Sequence, residues 1–306
     1  MMSRGVKFSD TIFSMKTSGS NHRSRKNKKV SLILKEYLSR HIHSIRKFLD
    51  LPPQAYSVEA VHDLRVDIKK VKALFALISF CNKDFKPRKY LLHYQSLFKK
   101  AGHLRAIHVE KELLKKYNAI YPNNQYMDDL VGLQRERVRK LHNVTRSGIA
   151  CKIENSETGI MSFLKKLDTE TTDKYLKHTE KKLIKLISKK IFRENKLHVA
   201  RKKLKEFYFN LRSIHPDIPE EQTEVLNHLL KTLGEWHDRQ VAMDQLTKVI
   251  NSLKFDSEAT KSLTKVLHRL VKDKATLFSQ AMLQCTNRPD LLLITSAIPT
   301  RGHVKE

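Results

Sequence analysis

Apolar residues recur along this chain at helical spacing, and convincing strand-like alternation is absent. Val30, Leu32, Leu34, Tyr37, Leu38 and Ile42 form a stripe that predicts a helix ending before Pro52-Pro53. Ser57 is an N-cap candidate for a second helix running to about Phe80, with Glu59 in its first turn, where negative charge suits the helix dipole. The position three after Ser57 is Ala60, so a full capping box is absent. A third helix is expected over roughly 90–101, interrupted at Gly102, and a fourth from there to about Tyr117, stopping near Pro122-Asn123-Asn124. A fifth covers about 126–147. The polar stretch 148–158, with Gly148 and Gly159 at its edges, reads as a linker. Further helices are expected near 159–167, 172–192, 194–214, 221–233, 237–253 and 257–284. Leu291–Ile294 is the only short β-like patch, so the chain reads as all-α.

These elements imply a basic, flexible tail over 1–28, a helical region over 29–285 with halves at about 29–150 and 159–285, and a weakly ordered tail over 286–306. With 306 residues, 40% hydrophobic, the chain can build a sizeable core. Only 8 Gly and 8 Pro fit a helical protein. The charge changes the picture more. Sixty Lys+Arg against 32 Asp+Glu give a formal +28. Such an excess repels itself unless a polyanion offsets it. Nucleic acid, an anionic membrane surface and soluble polyphosphate all qualify. Cys81, Cys151 and Cys285 lie far apart with no Cys-x-x-Cys pair, which fits inert thiols in a reducing compartment. Residues 1–30 lack the apolar core of a signal peptide, and no apolar run approaches the ~18 residues of a membrane span. The expectation is a cytoplasmic protein with no membrane partner.

Two helices carry the same polar pattern. One reads Val61-His62-Asp63-Leu64-Arg65-Val66-Asp67-Ile68-Lys69-Lys70-Val71-Lys72, the other Leu197-His198-Val199-Ala200-Arg201-Lys202-Lys203-Leu204-Lys205. Each has His, Arg three residues on, and Lys seven after the His. At ~100° per residue, His62, Arg65, Lys69 and Lys72 share an arc of about 80°. Leu64, Ile68, Val71, Phe75 and Ile78 lie opposite. On the second helix His198, Arg201, Lys202 and Lys205 share a face, extended by Tyr208 and Arg212, against Leu204, Phe207 and Leu211. One such basic stripe is usually a solvated helix face. Two with the same offsets, in a chain this basic, point to a shared anion site. A second element recurs after each: Gly102 with Arg105-Ala106 and Val109, then Gly234 with His237-Asp238 and Val241. The matched order and spacing suggest an ancient duplication. The plain role of both glycines is a tight helix–helix joint.

Val-His-Asp-Leu-Arg-Val followed by Lys-Lys-Val-Lys resembles the signature of the CHAD domains, the conserved-histidine α-helical domains. Leu-His-x-x-Arg-Lys-x-Leu-Lys and Leu-Gly-x-x-x-Asp at 233–238 resemble the second-half counterpart, and the likeness covers roughly 30–285. The resemblance implies two pseudo-symmetric helical-bundle halves forming one compact domain with a basic central cavity. It also implies binding of inorganic polyphosphate, and association with polyphosphate granules in some members. By motif position it implies His62, Arg65, Lys69, Lys72 and Arg105 from the first half, and His198, Arg201, Lys202 and Lys205 from the second. The sequence departs from the family at Ala106, where an acid is usual, at His237, where Arg is usual, and at Lys69-Lys70, where paired arginines are usual. Lysine is a point charge rather than a bidentate fork, which suits a flexible polyanion.

Other function classes find less support. No helix-turn-helix, zinc-finger or RNP-type signature supports sequence-specific nucleic-acid recognition, although the basic tail suits nonspecific contact. No phosphate-cradling Gly loop, Glu-x-Glu-x-Lys run or metal-ligand spacing supports phosphoryl transfer, a metal site or a cofactor. Asp63 and Asp67 read as surface charge, with Asp67 able to pair with Lys70. Because an unperturbed histidine titrates near ~6.5, the paired histidines predict binding that strengthens in mild acid.

Overall fold

A computed structural model describes residues 30–117, 124–187, 194–252, 258–287 and Thr295. The expected tail over 1–28 lies outside the described residues. So does the 286–306 tail apart from the end of the last helix and Thr295, whose N–H donates to Glu180 Oε1 at 2.9 Å.

The described chain is helical and has no strand. α1 (Val30–Leu49) ends ahead of a 3-10 turn at Pro53–Ala55. α2 (Val58–Cys81) starts at Ser57, whose hydroxyl accepts from the Ala60 N–H as expected of a cap. α3 (Pro87–Lys116) opens on a proline, which sacrifices no helical hydrogen bond there. α4 (Asn124–Thr145) and α5 (Ile149–Leu164) follow, then α6 (Thr169–Ile187), capped by Asp168 accepting from Thr171 N–H at 2.7 Å. α7 (Glu194–Ile214), α8 (Glu220–Ser252) and α9 (Glu258–Asn287) complete the order.

Three sequence expectations are corrected. Residues 148–158 are no linker: Gly148, at φ 72°, turns the chain and α5 starts at once. Ile153 and Ile160 of that helix are fully buried. Gly102 does not interrupt α3, and Gly234 does not interrupt α8. A mid-helix glycine costs about 1 kcal/mol, whereas each buried Leu or Ile contributes about 1.5–3 kcal/mol. Leu97, Leu104 and Ile107 around Gly102, and Leu229, Leu233 and Trp236 around Gly234, are all buried, so packing decides. Asp67 is not surface charge either. It is 7% exposed, meets His41 Nδ1 at 2.8 Å and accepts from Ser44 Oγ at 2.6 Å, bracing α2 against α1.

α2 packs against α1, α3, α6 and α7, so the two basic motif helices touch directly. α3 packs against α8, joining the two glycine elements likewise. Asn210 of α7, fully buried, fixes the register: its amide donates to Ala73 O of α2 at 2.9 Å and to Tyr175 Oη of α6 at 2.8 Å. The apolar interior forms two clusters. The larger takes residues from α1, α2, the start of α3, Leu141 of α4, α5 to α7, the Leu226 to Trp236 stretch of α8, and Ala281 and Cys285 of α9. The smaller is built from Ile107 to Leu114 of α3, Leu130 of α4, Ala242 and Leu246 of α8, and Leu263 to Leu270 of α9. Each cluster draws on both sequence halves. α3 crosses from one to the other between Leu104 and Ile107, and α8 between Trp236 and Ala242.

Candidate functional site

The polar residues of the repeats lie at that crossing. Leu64, Ile68, Val71 and Phe75 of α2 and Leu204, Phe207 and Leu211 of α7 are buried, as the periodicity requires. Their opposite faces bring Arg65 and Lys69 together with Arg201 and Lys205, close enough to perturb one another electrostatically. α3 adds Arg105, and α8 adds His237 and Asp238.

Arg65 is the most constrained of these cations. Its Nη1 donates to Phe98 O at 2.9 Å, and its guanidinium stacks 4.3 Å from the Phe98 ring centroid. Gly102 permits this seat: a Cβ there would stand 2.5 Å from Arg65 Nη1. The expected role of Gly102 as a helix joint is therefore replaced by that of a cradle for a guanidinium. Gly234 has no such role, since a Cβ there would meet nothing within 4 Å. Lys69 lies 6.0 Å from the same Phe98 centroid, and Lys205 lies 5.7 Å from that of Phe209.

Crowding of these half-buried cations shows in their proton affinities. Burial, then Lys205, Arg65 and Arg201, push Lys69 down to about 7. Burial and then Arg105 push Arg65 down to about 10, with Asp238 opposing. Burial lowers Arg201, and burial with Arg201 lowers Lys205. Desolvation and neighbouring cations also hold His62 and His198 below the usual histidine range and push His237 down to about 4. The expected histidine titration is thus displaced to more acid pH in the free protein. The His198 and His237 rings lie 5.0 Å apart. Arg201 Nε and His237 Nδ1 are buried without a protein hydrogen-bond partner among the described residues.

Of the residues expected from sequence, His62, Arg65, Lys69, Arg105, His198, Arg201 and Lys205 converge on this group. Lys202 is exposed and adjoins His198 at the rim. Lys72 is exposed one turn beyond Lys69, outside the coupled group. His237, Asp238 and Phe98 were not singled out as site residues. The Gly-x-x-x-Asp spacing pointed to Asp238, and nothing in the sequence pointed to Phe98. Among the described residues, no group of His, Cys, Asp or Glu could hold a metal ion, and no helix is long and apolar enough to cross a membrane.

An all-helical fold in which two His/Arg/Lys helices face one another defines a class of cation-clustered helical domains. The CHAD domain family model matches residues 36–247, and the chain belongs to that family. The fold is similar to the crystal structure of the CHAD domain from the plant Ricinus communis, with TM-score 0.58 and 14% identity over 88% of this chain and 92% of that one. It is also similar to PptA from Streptomyces chartreusis, with TM-score 0.66 and 11% identity over 84% of this chain and 99% of that one. Comparison with curated proteins finds no match.

Proposed function

We propose that this protein binds inorganic polyphosphate between α2 and α7, in a basic cavity completed by Arg105, and acts as a binder rather than an enzyme. The carrying observation is the convergence of Arg65, Lys69, Arg201 and Lys205 from two matched helices, where burial depresses the proton affinity of each and neighbouring cations depress it further at Arg65, Lys69 and Lys205. Each cation gains a charge-assisted hydrogen bond from a phosphate oxygen, and successive contacts along one chain add avidity. The unpartnered Arg201 Nε supplies a ready donor. Partly buried cations favour a slender, flexible polyanion over a duplex, whose phosphates are held on a wide and rigid frame. Membership of a family associated with polyphosphate supports the same reading, as does the excess of positive charge for attachment to polyphosphate granules.

The test is titration with long-chain polyphosphate of wild type and of Arg65→Ala/Lys69→Ala/Arg201→Ala/Lys205→Ala. A folded quadruple variant should lose at least about a hundredfold in affinity, each charge-assisted contact being worth roughly tenfold or more. Undiminished binding by a folded variant would reject the site. Competition covers the nucleic-acid alternative: polyphosphate should displace DNA at far lower phosphate concentration than the reverse, and deletion of 1–28 should weaken DNA binding alone.

A further inference from the structure

α3 receives Arg65 within a little over one turn. Phe98 and Gly102 lie four residues apart in the middle of that helix, so they share a face. There the Phe98 carbonyl accepts from Arg65 Nη1 at 2.9 Å, and the Phe98 ring centroid lies 4.3 Å from Arg65 Cζ. A Cβ at Gly102 would come within 2.5 Å of the same Nη1, so only glycine leaves the seat open. Lys69, four residues along α2, has its Nζ 6.0 Å from the same centroid. Phe98 is half-buried and packs against the larger apolar cluster, which fixes the ring that both cations face. The second half lacks this seat. Leu230 stands four residues before Gly234, a Cβ at Gly234 would meet nothing within 4 Å, and Arg201 Nε is buried without a protein hydrogen-bond partner among the described residues.

We propose that Phe98 is a positioning residue of the anion site: its ring and carbonyl hold Arg65 in the pose that meets the polyanion, and the same ring backs Lys69. This role rests on the polyphosphate reading. A free arginine side chain samples many rotamers, and a ligand that uses it must order it. Arg65 is ordered beforehand. One N–H of its fork is committed to Phe98 O, and the negative face of the ring attracts the cation without consuming another donor. The other N–H groups of the fork are left to phosphate oxygens. An aromatic face also carries no net charge, so it holds a guanidinium without repelling the phosphate as a carboxylate would. The two matched arginines therefore differ in role. Arg65 is set in advance, and Arg201 completes its hydrogen bonds when the ligand arrives.

Phe98→Leu keeps an apolar side chain against the cluster and removes the ring. By calorimetry it should bind long-chain polyphosphate about fivefold more weakly than wild type, because ordering of one rotamer-rich side chain moves into the binding step. Phe98→Tyr keeps the ring face and should bind within about twofold of wild type. In an Arg65→Ala background, Phe98→Leu should cost less than about twofold, since the group it positions is gone. Trifluorophenylalanine at position 98 preserves shape and packing while draining the negative face of the ring, so it should reproduce most of the Phe98→Leu loss in a protein that folds as wild type does. Wild-type affinity in either the Phe98→Leu or the trifluorophenylalanine protein overturns the proposal. So does a Phe98→Leu loss as large in Arg65→Ala as in wild type. With Arg65→Ala itself still weakened in the same titration, those results leave the polyphosphate reading standing. Absence of binding by wild type overturns that reading and this proposal with it.

Discussion

At Gly102 a methyl group would meet the Arg65 guanidinium at 2.5 Å; at Gly234 it would meet nothing within 4 Å. The two glycine elements match in sequence spacing, and both lie where a long helix passes from one apolar cluster to the other. They nevertheless make different contributions. The first seats Arg65 against Phe98 and adds Arg105. The second adds His237, pushed down to about 4 and hence neutral near pH 7, and the carboxylate of Asp238. A repeated spacing therefore identifies a place in the fold without fixing its chemistry. In this molecule the first-half element supplies Arg105 and a seat for Arg65, and the second-half element supplies a histidine and a carboxylate.

The sharpest way to break this contrast is at Arg65 itself. Arg65→Ala removes a guanidinium held by backbone and ring contacts, and should weaken polyphosphate binding about thirtyfold, or about 2 kcal/mol, within the range for a hydrogen bond to a charged group. Isothermal titration would reveal a smaller role if the loss stayed below threefold. Gly102→Ala comes next. The added methyl displaces Arg65 while raising helix propensity, so affinity should drop about tenfold with the melting temperature unchanged or higher.

The pH dependence sharpens the comparison within the cluster. Lys69, pushed down to about 7, faces His62 and Arg65 on its own helix, Arg201 and Lys205 across from it, the Phe98 ring of α3, and His237 and Asp238 from α8. A bound anion favours its charged form, so binding takes up a proton above pH 7. Affinity should rise about fivefold as pH falls from about 9 to about 7, and Lys69→Met should flatten that rise. Stability of the free protein should move the other way. Unfolded Lys69 holds its proton up to the ordinary 10.5, so the folded protein gains stability as pH climbs from about 7 toward 10. The smallest effect belongs to Gly234→Ala. With open space at that position, affinity should change less than about twofold while stability rises by up to ~1 kcal/mol.

Periodicity made the faces of α2 and α7 legible because burial of Leu64, Ile68, Leu204 and Phe207 is a property of each helix alone. The Ser57 cap was legible for the same reason. What depended on partners distant in sequence was not. Asp67 pairs with His41 and Ser44 of another helix, which nothing beside Asp67 announces. The polarity of 148–158 suggested a linker, yet α5 needs only buried residues at helical spacing, Ile153, Ile160 and Leu164, to dock its inner face. Gly102 and Gly234 suggested breaks because a glycine's local cost is visible in sequence and the compensating packing on both sides is not. The site followed the same rule. Arg65, Lys69, Arg201 and Lys205 were found from their offsets, while Phe98 emerged only from the meeting of α2 and α3.

The central claim is that a polyphosphate chain lies between α2 and α7. A crystal structure of the protein with bound polyphosphate tests it most directly. The account predicts phosphate oxygens within hydrogen-bond reach of Arg65, Lys69, Arg201 and Lys205, with Arg105 at one end of the path. Phosphates bound instead along the exposed Lys72 and Lys202 positions, with those four half-buried cations untouched, would contradict it.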